Sequence, residues 1–171
     1  VADTAWPRPS KSGKLEIYCQ FKADNANRIG LNDEPIKPYA NYFVPRRGYQ
    51  ETFDDWDAKK KGKYPLQAYT PHYMRRAHTC YDNMPWTQEA FKNPVFMNEQ
   101  DAEERGIKAG DTVECFNQFG SMLRKAQPLR SMMPGTVAIP HGVHTVLDES
   151  DPDHIVDRGG SEQMLSDGTQ S

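Results

Sequence analysis

Apolar and polar positions alternate from Lys14 to Gln20 (KLEIYCQ) after a Ser12-Gly13 turn, the period of a half-buried strand. From Asn25 to Tyr64 no period is sustained, so this stretch is expected to be a long surface excursion. Pro65 to Pro71 (PLQAYTP) reads as a second strand leading into TPHYMRRAHTCYDN. The run VFMN then predicts a short strand, with Asn98 as the N-cap of a helix reaching about Arg105 and Glu99 and Asp101 in its first turn. Gly106 is the expected stop. Ala109-Gly110-Asp111 turns the chain into TVECFN, where Val113 and Cys115 share one side and Glu114 and Phe116 the other. Gln118 to Gly120 turns it back into SMLRKAQPL, which makes a hairpin. Met133-Pro134-Gly135 precedes a buried-looking strand, TVAIP, and after His141 the chain is mostly polar or glycine, with little expected to join a core.

Helices are too few and too short to alternate with strands as βαβ units, so a small closed barrel suits the pattern better than a doubly wound sheet. At 171 residues one core is the default, yet only 36% of residues are apolar and 26% are charged, with 13 prolines and 12 glycines. That balance predicts extensive loops, or a surface covered by other polypeptide. The amino-terminal VADTAWPRPSKSGK reads as a linker. A net charge of -3 offers no electrostatic footprint for nucleic acid, and the basic run at Lys59, Lys60, Lys61 and Lys63 is local. No stretch approaches the roughly 18 apolar residues that span a bilayer, so no direct membrane contact is expected. The three cysteines, Cys19, Cys80 and Cys115, lack C-x-x-C spacing and are expected to be buried free thiols.

Chemistry collects at Thr70, His72, Tyr73, Arg75, Arg76, His78 and Thr79, directly after a strand. Planar guanidinium forks, threonine hydroxyls and exposed backbone N–H groups suit phosphate or a polar heterocycle. A solvated, charged loop is the alternative reading of the same residues. His141 and His144 in PHGVH can join His72 or His78 in a metal site, although flanking glycine and proline prevent a helix from presenting both rings together. The chain contains no P-loop, no G-x-G-x-x-G and no ordered nucleophile triad.

Taken together, SGKLEIY, YPLQAYTPHYMRRAHTCYDN, VFMNEQDAEERGIKAGDTVECFNQFGS, MMPGTVAIPHG and GGSEQMLSD resemble, in this order, the last domain of dimethyl sulfoxide reductase-type catalytic subunits. The resemblance implies a mainly β fold, a six-stranded double-psi β-barrel similar to aspartate decarboxylase, with a few short helices and long loops. Residues 1–13 would then be a linker from a preceding domain and residues 14–171 the molybdopterin dinucleotide-binding domain, with about 25–64 the excursion. The implied cofactor is bis(molybdopterin guanine dinucleotide) carrying molybdenum or tungsten. Contacts implied by matching positions are Thr70, His72, Arg76, His78, Thr79, His141, Gly142, His144 and Gln163. Gln163-Met164-Leu165-Ser166 stands where relatives usually have asparagine, a hydrophobic residue, leucine and threonine, and His144 where they often have an aromatic residue.

The same resemblance places the protein ligand of the metal, and any iron–sulfur cysteines, in earlier domains. No catalytic residue and no metal ligand is therefore expected in this chain, which would not be catalytic in isolation. Implied partners are the remaining domains of the same catalytic subunit and an iron–sulfur electron-transfer subunit. The parent would be an oxidoreductase, or a non-redox transhydroxylase or hydratase relative. On this reading Arg76→Ala should lower cofactor occupancy more than folding stability. Two alternatives remain: a free-standing double-psi barrel that binds a protein or peptide, and a small metal-dependent barrel enzyme using His72, His78, His141 and His144.

Overall fold

The computed structural model describes residues 10, 12–30, 34–42 and 48–166, so most of the 1–13 linker lies outside the described residues. The chain divides into two compact units, Val1–Val44 and Pro45–Ser171.

In the first unit, helix α1 (Gln20–Ile29) ends at Gly30, whose φ of 71° is the left-handed stop that glycine adopts freely. The Asn27 amide clips the following loop by bonding both polar backbone groups of Ile36, at 2.9 and 2.6 Å. The strand expected over Lys14–Gln20 does not form. Only Tyr18 makes a bridge, to Tyr39, while Leu15 and Ile17 stay exposed. Alternation marks a strand only when an adjacent edge satisfies its backbone, and a single bridge does not extend one.

The second unit is mainly β. It opens with a 3-10 turn (Tyr49–Thr52) and a small antiparallel hairpin of β1 (Phe53–Asp55) and β2 (Lys60–Lys61). Tyr49, Phe53 and Trp56 stack edge-on there, with the Lys59 ammonium over Trp56 and the Lys61 ammonium over Phe53. Ordered structure thus occupies both ends of the 25–64 excursion.

The main sheet is mixed and curled. It is built from β3 (Gln67–Tyr69), β4 (Pro94–Asn98), β5 (Thr112–Phe116), β6 (Ser121–Leu129), β7 (Thr136–Ala138), β8 (Leu147–Asp148) and β9 (Val156–Asp157), in the order β3-β7-β4-β6-β9-β8, with β5 also paired to β6. Pairs β3–β7, β4–β6 and β6–β9 are parallel, and the others antiparallel. β4 is central, with strands on both edges, and four of its five residues are buried. That burial on both faces explains its continuous apolar character.

Helix α2 (Pro85–Ala90) precedes β4 and α3 (Glu99–Glu103) follows it. The Asn98 side chain accepts from Gln100 N at 2.8 Å, the N-cap that its position predicted, and Gly106 turns left-handed at φ 67° just past the helix. β5 alternates as read, with Val113 and Cys115 half-buried and packed against Val95, Met122 and Ile139. The tail departs from expectation: β8 and β9 join the sheet, Leu165 packs on this core, and Asp157 is completely buried. A polar tail can enter the interior because its own backbone N–H groups saturate the buried carboxylate, so no apolar run is needed.

Candidate functional site

Two loops that each follow a strand supply the site. The first leaves β3 and runs from Thr70 to Asp82, and the second leaves β7 and runs through Ile139 to His144. Parallel pairing of β3 with β7 delivers both loops at the same end of the sheet. Ile139 N donates to Tyr69 O at 2.9 Å and His141 N to Pro71 O at 3.3 Å, so the two loops run on side by side.

The imidazoles of His72, His78 and His141 converge there. Ring centroids are 4.4 Å apart for His72 and His141, 4.9 Å for His72 and His78, and 5.2 Å for the stacked pair His78 and His141. One ring nitrogen from each lies within 4.8 Å of the others. His72 and His78 are exposed and His141 half-buried. The Nδ1 of His141 sits 3.5 Å from the Thr70 carbonyl, and its Nε2 is buried without a hydrogen-bond partner among the described residues. A buried, unpaired ring nitrogen is costly unless something else bonds it.

The backbone under the cluster is held in an uncommon shape. His78 has φ 52°, a left-handed conformation that costs a non-glycine residue on the order of 1–3 kcal/mol. Gly142, at φ 91°, faces the His78 carbonyl so closely that a Cβ would run into it. The chain thus needs glycine at 142 both for conformation and for the approach of the two loops.

Arg76 is the rivet between them. Its side chain is 1% exposed. Nε donates to Asp82 Oδ1 at 2.7 Å, one terminal nitrogen donates to the His141 carbonyl at 3.2 Å and the other to Asn93 Oδ1 at 2.9 Å. This guanidinium is fully engaged inside the protein, so Arg76 shapes the site by holding His141. Burial pushes the Asp82 carboxyl up, but the hydrogen bond and charge of Arg76 with the charge of Arg75 more than offset it, and the group titrates below its ordinary value. Asp82 also accepts from His144 N at 3.4 Å.

Behind the loops lies a second set of buried polar anchors. Arg124, on the inward side of β6, donates to the carbonyls of Gly160, Pro94 and Pro140 at 2.8, 3.2 and 2.8 Å. Glu162 lies 3.7 Å from the same guanidinium and accepts from Gly142 N at 3.3 Å. Burial pushes Arg124 down to about 10, against the pull of Glu162, which leaves it charged at neutral pH. Asp157 accepts from Val146 N, Gly159 N and Ser161 N at 2.6, 2.8 and 2.6 Å, and so pins the segment that carries Glu162 and Gln163.

Of the sequence-derived site residues, Thr70, His72, His78, His141 and Gly142 come together on the paired loops. Thr79 is exposed beside His78 in the chain. His144 is exposed and stands outside the three-histidine group. Gln163 is exposed in the 3-10 turn Glu162–Leu165, next to the residue that bonds Gly142. Asp157, Arg124 and Glu162 were missed. Arg124 carried a signal, since it falls on the buried side of a strand whose alternation places Met122 and Ala126 inward. Among the cysteines, Cys80 is exposed, contrary to the expectation of buried thiols, because it sits on the site loop and not in a strand.

Residues 66–166 match the family described as the Molydopterin dinucleotide binding domain. The chain is similar to the probable dimethyl sulfoxide reductase chain YnfF of Escherichia coli (36% identical over 160 residues), covering 94% of this chain and 19% of that protein. It is similar to the dimethyl sulfoxide reductase DmsA of the same organism (34% over 161 residues), covering 94% and 18%. The pyrogallol hydroxytransferase large subunit of Pelobacter acidigallici is 29% identical over 141 residues, covering 74% and 15%. Acetylene hydratase from Pelobacter acetylenicus shares the fold, with a TM-score of 0.62 at 17% identity over 91% of this chain and 20% of that one. The chain therefore spans about a fifth of the length of the relatives it matches most fully. By the match over residues 66–166, which contains both site loops and all their anchors, the chain belongs to the molybdopterin dinucleotide-binding domain family.

Proposed function

We propose that this chain is the cofactor clamp of a larger molybdenum or tungsten enzyme and that the face made by the two loops holds bis(molybdopterin guanine dinucleotide). The observation that carries the reading is the buried, unpartnered Nε2 of His141 in a cluster of imidazoles and exposed backbone, inside the segment that matches the family. A pterin edge is a planar array of donors and acceptors, and imidazoles, threonine hydroxyls and glycine backbone complement it. The residues that hold it are Thr70, His72, His78, Thr79, His141, Gly142, His144 and Gln163. Arg76, Asp82 and Glu162 keep that set in place. When bound, the metal and its pterins supply the oxygen-atom, hydroxyl or electron transfer, and the chain's own residues bind and orient them.

The three parallel strand pairs support a six-stranded double-psi barrel as the fold class, with β8 an added edge strand. The parent is an oxidoreductase of the dimethyl sulfoxide reductase type, or a transhydroxylase or hydratase relative. The remaining domains of its catalytic subunit supply the metal ligand, and an iron–sulfur subunit supplies electrons in a redox member. Metal analysis with acid release of guanine nucleotide from the parent enzyme tests this. Molybdenum or tungsten with about two GMP per metal is expected.

A further inference from the structure

We infer that His72, His78 and His141 also form a three-histidine site for a divalent transition-metal ion of the zinc type, an alternative occupant of the loop face when the dinucleotide is not bound. Three imidazoles, each with one ring nitrogen within 4.8 Å of the others, surround a common point. A tetrahedral ion with bonds of about 2.0–2.1 Å to nitrogen needs those atoms about 3.4 Å apart. The exposed His72 and His78 rings close that gap by side-chain rotation, because neither ring is held by a hydrogen bond among the described residues.

His141 is already prepared for the ion. With its Nδ1–H directed at the Thr70 carbonyl, 3.5 Å away, the lone pair is left on Nε2, the atom that is buried and unpartnered. A backbone carbonyl on the far ring nitrogen is the support that metal-binding histidines commonly have, since it fixes tautomer and ring orientation. The ligand frame is also stiff. Arg76 holds the His141 carbonyl, His141 N is bonded to Pro71 O beside His72, and Gly142 packs on the His78 carbonyl.

The donor set selects the ion. Three neutral imidazoles without a carboxylate favour zinc, cobalt, nickel or copper over magnesium or calcium, which take oxygen. Asp82 does not join them, because Arg75 and Arg76 already pair with it at 3.0 and 2.7 Å. Three protein ligands leave a fourth position open to water or an exogenous donor. His144 and the exposed His154, which pairs with Glu114 at 3.0 Å, lie outside the site.

The test is a Zn2+ titration of the 171-residue chain purified without cofactor, against a competing chromophoric chelator, with Co2+ absorption reporting coordination number. One Zn2+ per chain is expected, with a dissociation constant on the order of 1 µM or tighter, and Co2+ should give a four-coordinate visible spectrum. His72→Ala and His78→Ala, which alter exposed rings and spare the fold, should each weaken binding at least roughly 10–100-fold, the range already seen when outer supports of metal ligands are removed. His154→Ala should bind like the parent chain. Absence of stoichiometric binding, equal binding by the His72 and His78 variants, or loss of binding in His154→Ala alone would each overturn the inference. GMP release from the parent enzyme reads the clamp assignment separately, so the two readings fail independently.

Discussion

Replacing Arg76 by alanine removes a buried side chain that ties the two site loops to each other, to Asp82 and to Asn93. The lost contacts are a buried charge-assisted bond of 2.7 Å and two further hydrogen bonds of 3.2 and 2.9 Å. Breaking a buried ion pair from one side costs about 3–5 kcal/mol, because the remaining charge stays in the interior. Arg75, 3.0 Å from the same carboxylate, keeps part of that charge compensated. The loss should therefore fall near the bottom of the range, about 3 kcal/mol. In urea, with a slope of about 1–3 kcal/mol per molar, the unfolding midpoint drops by roughly 1–3 M. Arg76→Lys should lose about half as much, since one ammonium can keep Asp82 but cannot also span His141 and Asn93. The sequence alone led to the expectation that Arg76→Ala lowers occupancy more than folding stability; the buried contacts add a substantial folding loss to that expectation. The refuting result is a parent enzyme that loses its dinucleotide while the variant's urea midpoint stays within about 0.2 M of the unaltered chain.

Asp157→Ala should destabilise the chain by about 3 kcal/mol in the same urea assay, since three backbone N–H groups lose their buried acceptor; a change under about 1 kcal/mol would show that water replaces the carboxylate. Gly142→Ala should lower dinucleotide content in the parent more than the exposed substitution Gly110→Ala does, because a Cβ at 142 meets the His78 carbonyl and one at 110 meets open space. Equal content would mean that the loop approach is slack. With iodoacetamide at pH 8, Cys80 should be alkylated first, because it is exposed, while burial pushes the Cys115 thiol up to about 11 and leaves about one thiolate in a thousand; mass spectrometry finding Cys115 modified as fast as Cys80 would contradict this. The depressed Asp82 carboxyl contributes stability that is fully present above the unfolded carboxylate range and is lost as pH falls through its folded value, so the parent should lose more stability than Asp82→Asn on acidification below about pH 4. Parallel stability curves for the two proteins would refute it.

How much of this was legible depended on whether a signal was local. Asn98 as an N-cap, Gly106 as a stop and the β5–β6 hairpin were readable because short-range chemistry determines them. The loop carrying His72 and His78 was readable as a concentration of polar donors after a strand. That His141 and not His144 would meet His72 and His78 was not, since the spacing offered both and the choice depends on the parallel pairing of β3 with β7 across some 70 residues. Arg76 shows the other limit: a guanidinium that looks like a ligand donor in sequence is, in three dimensions, consumed by Asp82, Asn93 and a carbonyl 65 residues away. The KLEIYCQ alternation misled because period alone does not reveal whether an edge is available to pair with. Asp157 was hidden for a similar reason, because its partners are backbone groups that composition cannot register.

The central claim is that the loop face holds a pterin dinucleotide in a larger enzyme, and the most direct measurement is metal content together with acid-released nucleotide on the purified parent polypeptide. Molybdenum or tungsten with about two GMP per metal is the predicted result, and both should fall together when Gly142 is replaced by alanine. Well-folded parent protein that contains neither metal nor GMP would contradict the claim and leave the family fold serving another ligand.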